Sequence, residues 1–211
     1  MLWTDFVTRP LEIATALANG ELGGSTLEAH LIIGATISGM AAFVWPGKGK
    51  DRRRFVEVWA RYSDSSLHAN RISLPLLADE LWTYRLSEEC NAVETLRPEL
   101  LRLGAQVVTG DDIDVSEADV LRACPTLDAR RIRCNSYGAL YYRQVRSSVV
   151  HEYQFGARAV TWPMTTRKAG VSYANYAIPG AGSMTTRSER HIHYGLPWLS
   201  EIVRSIARRQ S

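Results

Sequence analysis

Cysteine is scarce in this sequence: only Cys90, Cys124 and Cys134 occur in 211 residues, and no two of them form a C-x-x-C pair. An odd count without close spacing argues against a disulfide framework and a cysteine-built zinc site, and suits reduced thiols in a cytoplasmic protein. Long apolar runs are also lacking. The strongest, Leu31 to Trp45 (LIIGATISGMAAFVW), contains two glycines and falls short of the ~20 residues needed to cross hydrocarbon, so a buried core helix is expected and no membrane association. The first twenty residues carry acids and no basic-then-apolar arrangement, so no secretory leader is expected. Net charge is small, +3, which excludes nucleic-acid binding by bulk charge alone. His191 and His193 share a strand face, but two histidines on a β-hairpin suit an ordinary surface better than a metal site, so neither a metal nor a cofactor is expected.

What is present is a globular composition, 45% hydrophobic and 22% charged, in a chain of single-domain length, so residues 1–211 are read as one domain. Residues 9–19 read as a helix stopped by Gly20. Ser25-x-x-Glu28 is a capping box that opens a buried helix near Thr26, which Pro46-Gly47 ends. After Asp51, residues Phe55, Val58, Trp59 and Tyr62 make one apolar face of an amphipathic helix. Residues 74–96 read as two helical pieces, and Ser116 to Ala123 as a short capped helix. In Ala139 to Phe155 the spacing of Tyr142, Val145, Val149 and Tyr153 predicts a helix with those four on its buried stripe. Val171 to Ile178 and Arg190 to Tyr194 read as strands around Pro179-Gly180-Ala181-Gly182, a turn without the lysine of a phosphate loop. This β-hairpin, near 170–195, is expected as an appendage, followed by a C-terminal helix with Pro197 in its first turn. The expectation is a mainly α helical bundle with a late β-hairpin and a C-terminal helix.

Charge is sharply segregated along the chain. Residues 79–121 hold eleven acids and three arginines, a balance of −8. Residues 129–168 hold Arg130, Arg131, Arg133, Arg143, Arg146, Arg158, Arg167 and Lys168 against Glu152 alone, a balance of +7. Tyr142 and other aromatics are interleaved with the basic stretch. Basic residues among aromatics suit a single-stranded nucleic acid, whose phosphates pair with arginine and whose bases stack. An acidic segment packing against a basic one explains the same pattern, and both readings stand at this point.

Residues 143–153 read RQVRSSVVHEY. An R-x4-H pattern late in the chain, near the C-terminal end of a helix and reading RSSVVHEY, resembles the signature of the HEPN superfamily. That resemblance implies a helical bundle, often dimeric, acting in many members as a metal-independent endoribonuclease in toxin–antitoxin, CRISPR-linked and antiphage systems. It implies RNA as the partner, a separately encoded antitoxin or regulator, and catalysis by Arg146 and His151. Ser147 stands where active members often carry Asn, Asp or His, so a silent, RNA-binding or regulatory HEPN module is the alternative.

The residue chemistry is consistent with cleavage. The ribose 2′-OH must lose a proton, which suits a histidine, while the phosphorane gains charge that a forked guanidinium can bind. On an ideal helix a five-residue separation puts Arg146 and His151 about 140° apart. Arg143, Ser147 and His151 instead share one polar stripe, and Glu152 is placed to pair with Arg143 or Arg146 or to tune the imidazole. Two such helices meeting across a twofold axis would pool both pairs in one cleft, so a homodimer is expected. Arg130, Arg131, Arg133, Arg158, Arg167, Lys168 and Tyr142 are the candidate RNA contacts.

Overall fold

A computed structural model describes residues 3–98, 107–160, 170–179 and 186–210. Its elements are mainly helical. The first is α1, Trp3–Ala18, and Gly20 follows it in the left-handed region at φ +76°. Next comes α2, Thr26–Val44, whose first turn is fixed by the expected Ser25/Glu28 capping box. Ala29, Ile33, Ile37, Met40 and Ala41 of α2 are buried against α1 and against α3, Asp51–Tyr62. By length and composition α2 could cross a membrane, but here it is the central helix of the main core. Phe55, Val58 and Trp59 of α3 are buried as their spacing predicts, and Tyr62 packs at the margin.

The expected pair of helices in 74–96 is present as α4, Leu74–Thr83, and α5, Ser87–Glu94. A two-residue strand β1, Val108–Thr109, leads into one turn of helix, α6, Gly110–Ile113. The capped helix expected after Ser116 is α7, Glu117–Ala123, and α8, Ala129–Cys134, follows it. Of these, α4, α5, α7 and α8 surround a second apolar cluster built on Leu74, Leu77, Leu81, Val93, Val120 and Ile132, while Val108 and Ile113 join the main core.

Between the two clusters lies a buried carboxylate. Asp114 accepts hydrogen bonds from the hydroxyls of Tyr137 (2.6 Å) and Tyr173 (2.5 Å) and from the Leu74 backbone N–H (3.0 Å). Gly110 is required beside them, because a Cβ there would lie 2.1 Å from the Tyr137 hydroxyl. Complete burial raises the Asp114 carboxyl to about 7 against the pull of those three bonds.

The helix carrying the R-x4-H motif is continuous but not uniform. It begins as α9, Tyr137–Leu140, under-winds through a π-helical stretch, Tyr141–Ser147, and finishes as α10, Ser148–Glu152. Under-winding corrects the expected buried stripe. Val145 and Val149 are buried as expected, but Tyr141 takes the place given to Tyr142, and Tyr153 is 61% exposed. Tyr137, Tyr141, Val145 and Val149 recur strictly every four residues, a period that an α-helix would carry around its surface and an under-wound one keeps in line. The helix also stops earlier than expected, because Tyr153 turns into the left-handed conformation at φ +52°.

The late hairpin pairs β2, Val171–Pro179, with β3, Thr186–Tyr194, and β1 adds a third antiparallel strand on the β2 edge. Residues 180–185, including most of the expected turn, lie outside the described residues. The base of the hairpin is part of the main core, since Val171, Tyr173, Ile192 and Tyr194 are buried there. The C-terminal helix α11, Leu196–Gln210, buries Leu199, Ile202, Val203 and Ile206 in the same core.

Candidate functional site

Arg146 leaves the last turn of the π-helical stretch and lies across α2. A Cβ on Gly34 would come within 2.9 Å of its Cγ, so the glycine is what lets the guanidinium stem pass. Its far end meets Asp51 at the first residue of α3, with Nη2 2.9 Å from Oδ2. The Tyr142 hydroxyl donates to the same Oδ2 at 2.8 Å, and the guanidinium sits over the Tyr142 ring, 5.1 Å from its centre. Arg54 pairs with the other carboxylate oxygen at 3.1 Å. Partial burial of Asp51 favours the neutral acid, but the Tyr142 hydrogen bond and the Arg146 and Arg54 charges win and hold the carboxyl below its usual range. The Arg146 side chain keeps 19% exposure, so it is oriented by the protein and still reaches the surface.

His151 is exposed on α10 and makes no hydrogen bond to the described residues. Two residues later the Tyr153 hydroxyl donates to Glu28 in the α2 capping box, which ties the end of the motif helix to the start of α2. Hydrogen bonds from Ser25 and Tyr153 keep the Glu28 carboxyl down near about 2. Between Arg146 and His151 the helix is mostly α, Ser148–Glu152, so the two side chains leave it in well-separated directions, as the roughly 140° of an ideal helix requires. Arg146 reaches toward α3, while the imidazole faces solvent.

The supporting residues divide. Ser147 is half-buried and its hydroxyl finds no partner among the described residues, whereas Ser148 Oγ donates to the Arg143 carbonyl at 3.3 Å. Glu152 is exposed and accepts from Gln154 at 3.0 Å; it pairs with neither Arg143 nor Arg146. Arg143 points into a cleft of about 390 Å³ that also takes in Arg52, Tyr84 and Cys134, and it has no acidic partner among the described residues.

Three arginines of the basic segment pair with carboxylates of the acidic one. Arg158 pairs with Asp79 and, at 3.3 Å, with Glu189. Arg133 meets Glu117 at 2.9 Å, and Arg131 reaches Glu80 at 4.0 Å while lying over the Tyr84 ring. Arg130 is exposed and lacks an acidic partner among the described residues; Arg167 and Lys168 lie outside them. Of the arginines expected to meet RNA, most of those described are therefore committed within the fold.

His30, His191 and His193 are held by packing within the fold. His30 is fully buried against Tyr141 and Phe155, and burial first, then the nearby His193, lowers it to about 3. His191 stacks on Tyr176 with ring centres 4.6 Å apart, and His193 contacts the Ser172 hydroxyl at 3.4 Å. No group of three or more potential metal ligands occurs among the described residues.

Sequence reasoning missed Asp51 and Gly34, which with Tyr142 position Arg146. It also left unused the run Gly47-Lys48-Gly49-Lys50-Asp51-Arg52-Arg53-Arg54, a basic cluster that was visible but was read only as a helix start. No family model, curated protein or solved structure matches the chain.

Proposed function

We propose that this chain is an HEPN-type, metal-independent endoribonuclease of the cytoplasm that cleaves single-stranded RNA, such as tRNA, in a toxin or antiphage role under a separately encoded regulator. The observation that carries the reading is the pre-oriented guanidinium: Asp51 and Tyr142 hold Arg146 at the surface of the same helix that presents an exposed His151. In the proposed reaction His151 takes the proton of a ribose 2′-OH as that oxygen bonds to phosphorus. The P–O5′ bond breaks and the 5′-oxygen takes up a proton from an imidazolium of the site, which gives a 2′,3′-cyclic phosphate and returns the histidine to its neutral form. Arg146 binds the charge that builds on the phosphorane oxygens. Because Arg146 reaches toward α3 while His151 faces out, the working site is a cleft between two copies that pools both pairs.

Purified protein in EDTA, given mixed RNA, is expected to produce cyclic-phosphate ends, and His151→Ala and Arg146→Ala are each expected to abolish them. Unchanged cleavage in both variants contradicts the assignment.

A second reading, a silent HEPN module that binds RNA or a partner, draws on two observations. Both Arg146 Nη atoms face protein acceptors, with Nη1 3.5 Å from the Tyr142 hydroxyl, and Ser147 makes no bond that would orient His151. RNA affinity without turnover in protein free of any partner favours it.

A further inference from the structure

The fold relocates the free positive charge. The arginines of 129–168 that were read as RNA contacts are mostly paired, as described above, while the turn between α2 and α3 and the first turn of α3 carry cations that are not. Lys50, Arg52 and Arg53 are all exposed, and none has an acidic partner among the described residues; Arg52 makes only a long contact, 3.6 Å, to the Cys134 sulfur.

These residues open onto two clefts that share the start of α3. On one side Arg52 and Arg143 line the 390 Å³ cleft, whose floor includes the exposed Tyr84. On the other, Lys50 and Arg53 line a cleft of about 340 Å³ beside Trp45. Asp51, between Lys50 and Arg52 in sequence, is the residue that holds Arg146. The acids lining the clefts are already spent, Asp79 on Arg158, Glu80 on Arg131 and Glu57 on Arg61, and Asp51 at the start of α3 is spent on Arg54 and Arg146. What remains at the surface is a set of uncompensated cations with an aromatic ring at each cleft, and Arg146 adjoins them through Asp51.

We infer that Lys50, Arg52, Arg53 and Arg143 form the track that binds the phosphates of a single-stranded RNA and leads it past Arg146, flanked by Tyr84 and Trp45, whose rings already carry Arg131 and Arg61 on one side. Uncompensated arginines and lysines flanked by aromatic rings bind a single strand through phosphate contacts and stacking, without requiring a particular sequence. The track rests on the ribonuclease reading for its substrate, but its position follows from which cations the fold leaves unpaired.

The test is fluorescence anisotropy with a labelled single-stranded RNA, in the His151→Ala background so that the probe stays intact. The triple variant Lys50→Ala/Arg52→Ala/Arg53→Ala is expected to bind at least about tenfold more weakly at low salt, and to lower the slope of log affinity against log salt by roughly two, given ~0.7 for each phosphate contact. Arg143→Ala alone is expected to lower the slope by roughly 0.7. The control Arg122→Ala/Arg204→Ala removes arginines already paired with Asp119 and Glu201 and is expected to change affinity less than about twofold. Circular dichroism verifies that each variant is folded. Affinity and slope unchanged in the folded triple variant overturn the track, as does binding to phosphatidylserine vesicles in place of RNA, or no RNA binding at all. If the track variants weaken binding while protein with His151 intact cuts no RNA, the track stands and the ribonuclease reading fails. If that protein cuts RNA and the triple variant binds normally, the reverse holds.

Discussion

Arg146 and Asp51, ninety-five residues apart in sequence, meet at 2.9 Å between Nη2 and Oδ2, and this contact sets where the R-x4-H motif presents its arginine. It joins the motif helix to the first turn of α3 and places the guanidinium beside the unpaired cations of that turn.

Asp51→Asn removes the charge while keeping the shape. The variant is expected to lose about 1–2 kcal/mol of stability in urea denaturation, the scale for a half-buried hydrogen-bonded ion pair, with RNA cleavage lowered at least about tenfold. The wild-type Asp51 carboxyl is held below its usual range, so its contribution is present at neutral pH and fades as pH falls through that lowered value. The stability gap between the two proteins should therefore close in acid, and a gap that widens there contradicts the pairing.

Tyr142→Phe keeps the ring under the guanidinium and removes only the hydroxyl that donates to Asp51. A loss of about 0.5–1.5 kcal/mol is expected, and a smaller fall in cleavage than Asp51→Asn produces. In a double-mutant cycle the two changes should be non-additive, because both act on one carboxylate oxygen. Strict additivity would show that the tyrosine acts elsewhere.

Gly34→Ala tests the close passage of Arg146 across α2. Alanine favours a helix by about 1 kcal/mol, yet its Cβ would press on the Arg146 stem at 2.9 Å. Cleavage is expected to fall even where stability is nearly unchanged, since the guanidinium is pushed from Asp51. Full activity in Gly34→Ala counts against the placement of Arg146.

Asp114 gives the fold a pH signature independent of function. Its folded value, raised from 3.8 to about 7, means that the native state binds the proton more tightly than the unfolded chain does. Its stabilising contribution is complete below pH 4 and is lost as pH rises from there to about 7, a change on the order of a few kcal/mol. Asp114→Asn cannot titrate, so the wild type should lose stability relative to the variant across that window and run parallel to it above. Parallel curves throughout would mean that the carboxyl is not buried as described.

The helices were legible because their signals are local. The Ser25/Glu28 box, the face of Phe55, Val58 and Trp59, and Gly20 each act within a turn or two of chain. The π-helical stretch was not, because under-winding answers to packing against α2 and α3, and the tyrosine pair 141–142 satisfies two registers equally well on paper. The site was half legible: Arg146 and His151 lie in one motif, whereas Asp51 and Gly34 reach Arg146 only through the packing of three helices. Charge misled for the same reason. A segment balance of +7 counts arginines without their partners, and Asp79, Glu80 and Glu117 become partners only when the chain folds back.

The most direct measurement is a mixing experiment on cleavage. Arg146→Ala and His151→Ala proteins, each inactive alone, are combined and assayed in EDTA for 2′,3′-cyclic phosphate ends. A site pooled between two copies should regain a measurable fraction of wild-type activity, because mixed dimers hold one intact arginine and one intact histidine across the cleft. Wild-type protein that cleaves RNA while the mixture stays inactive, with subunit exchange verified by labelled copies, contradicts the two-copy site.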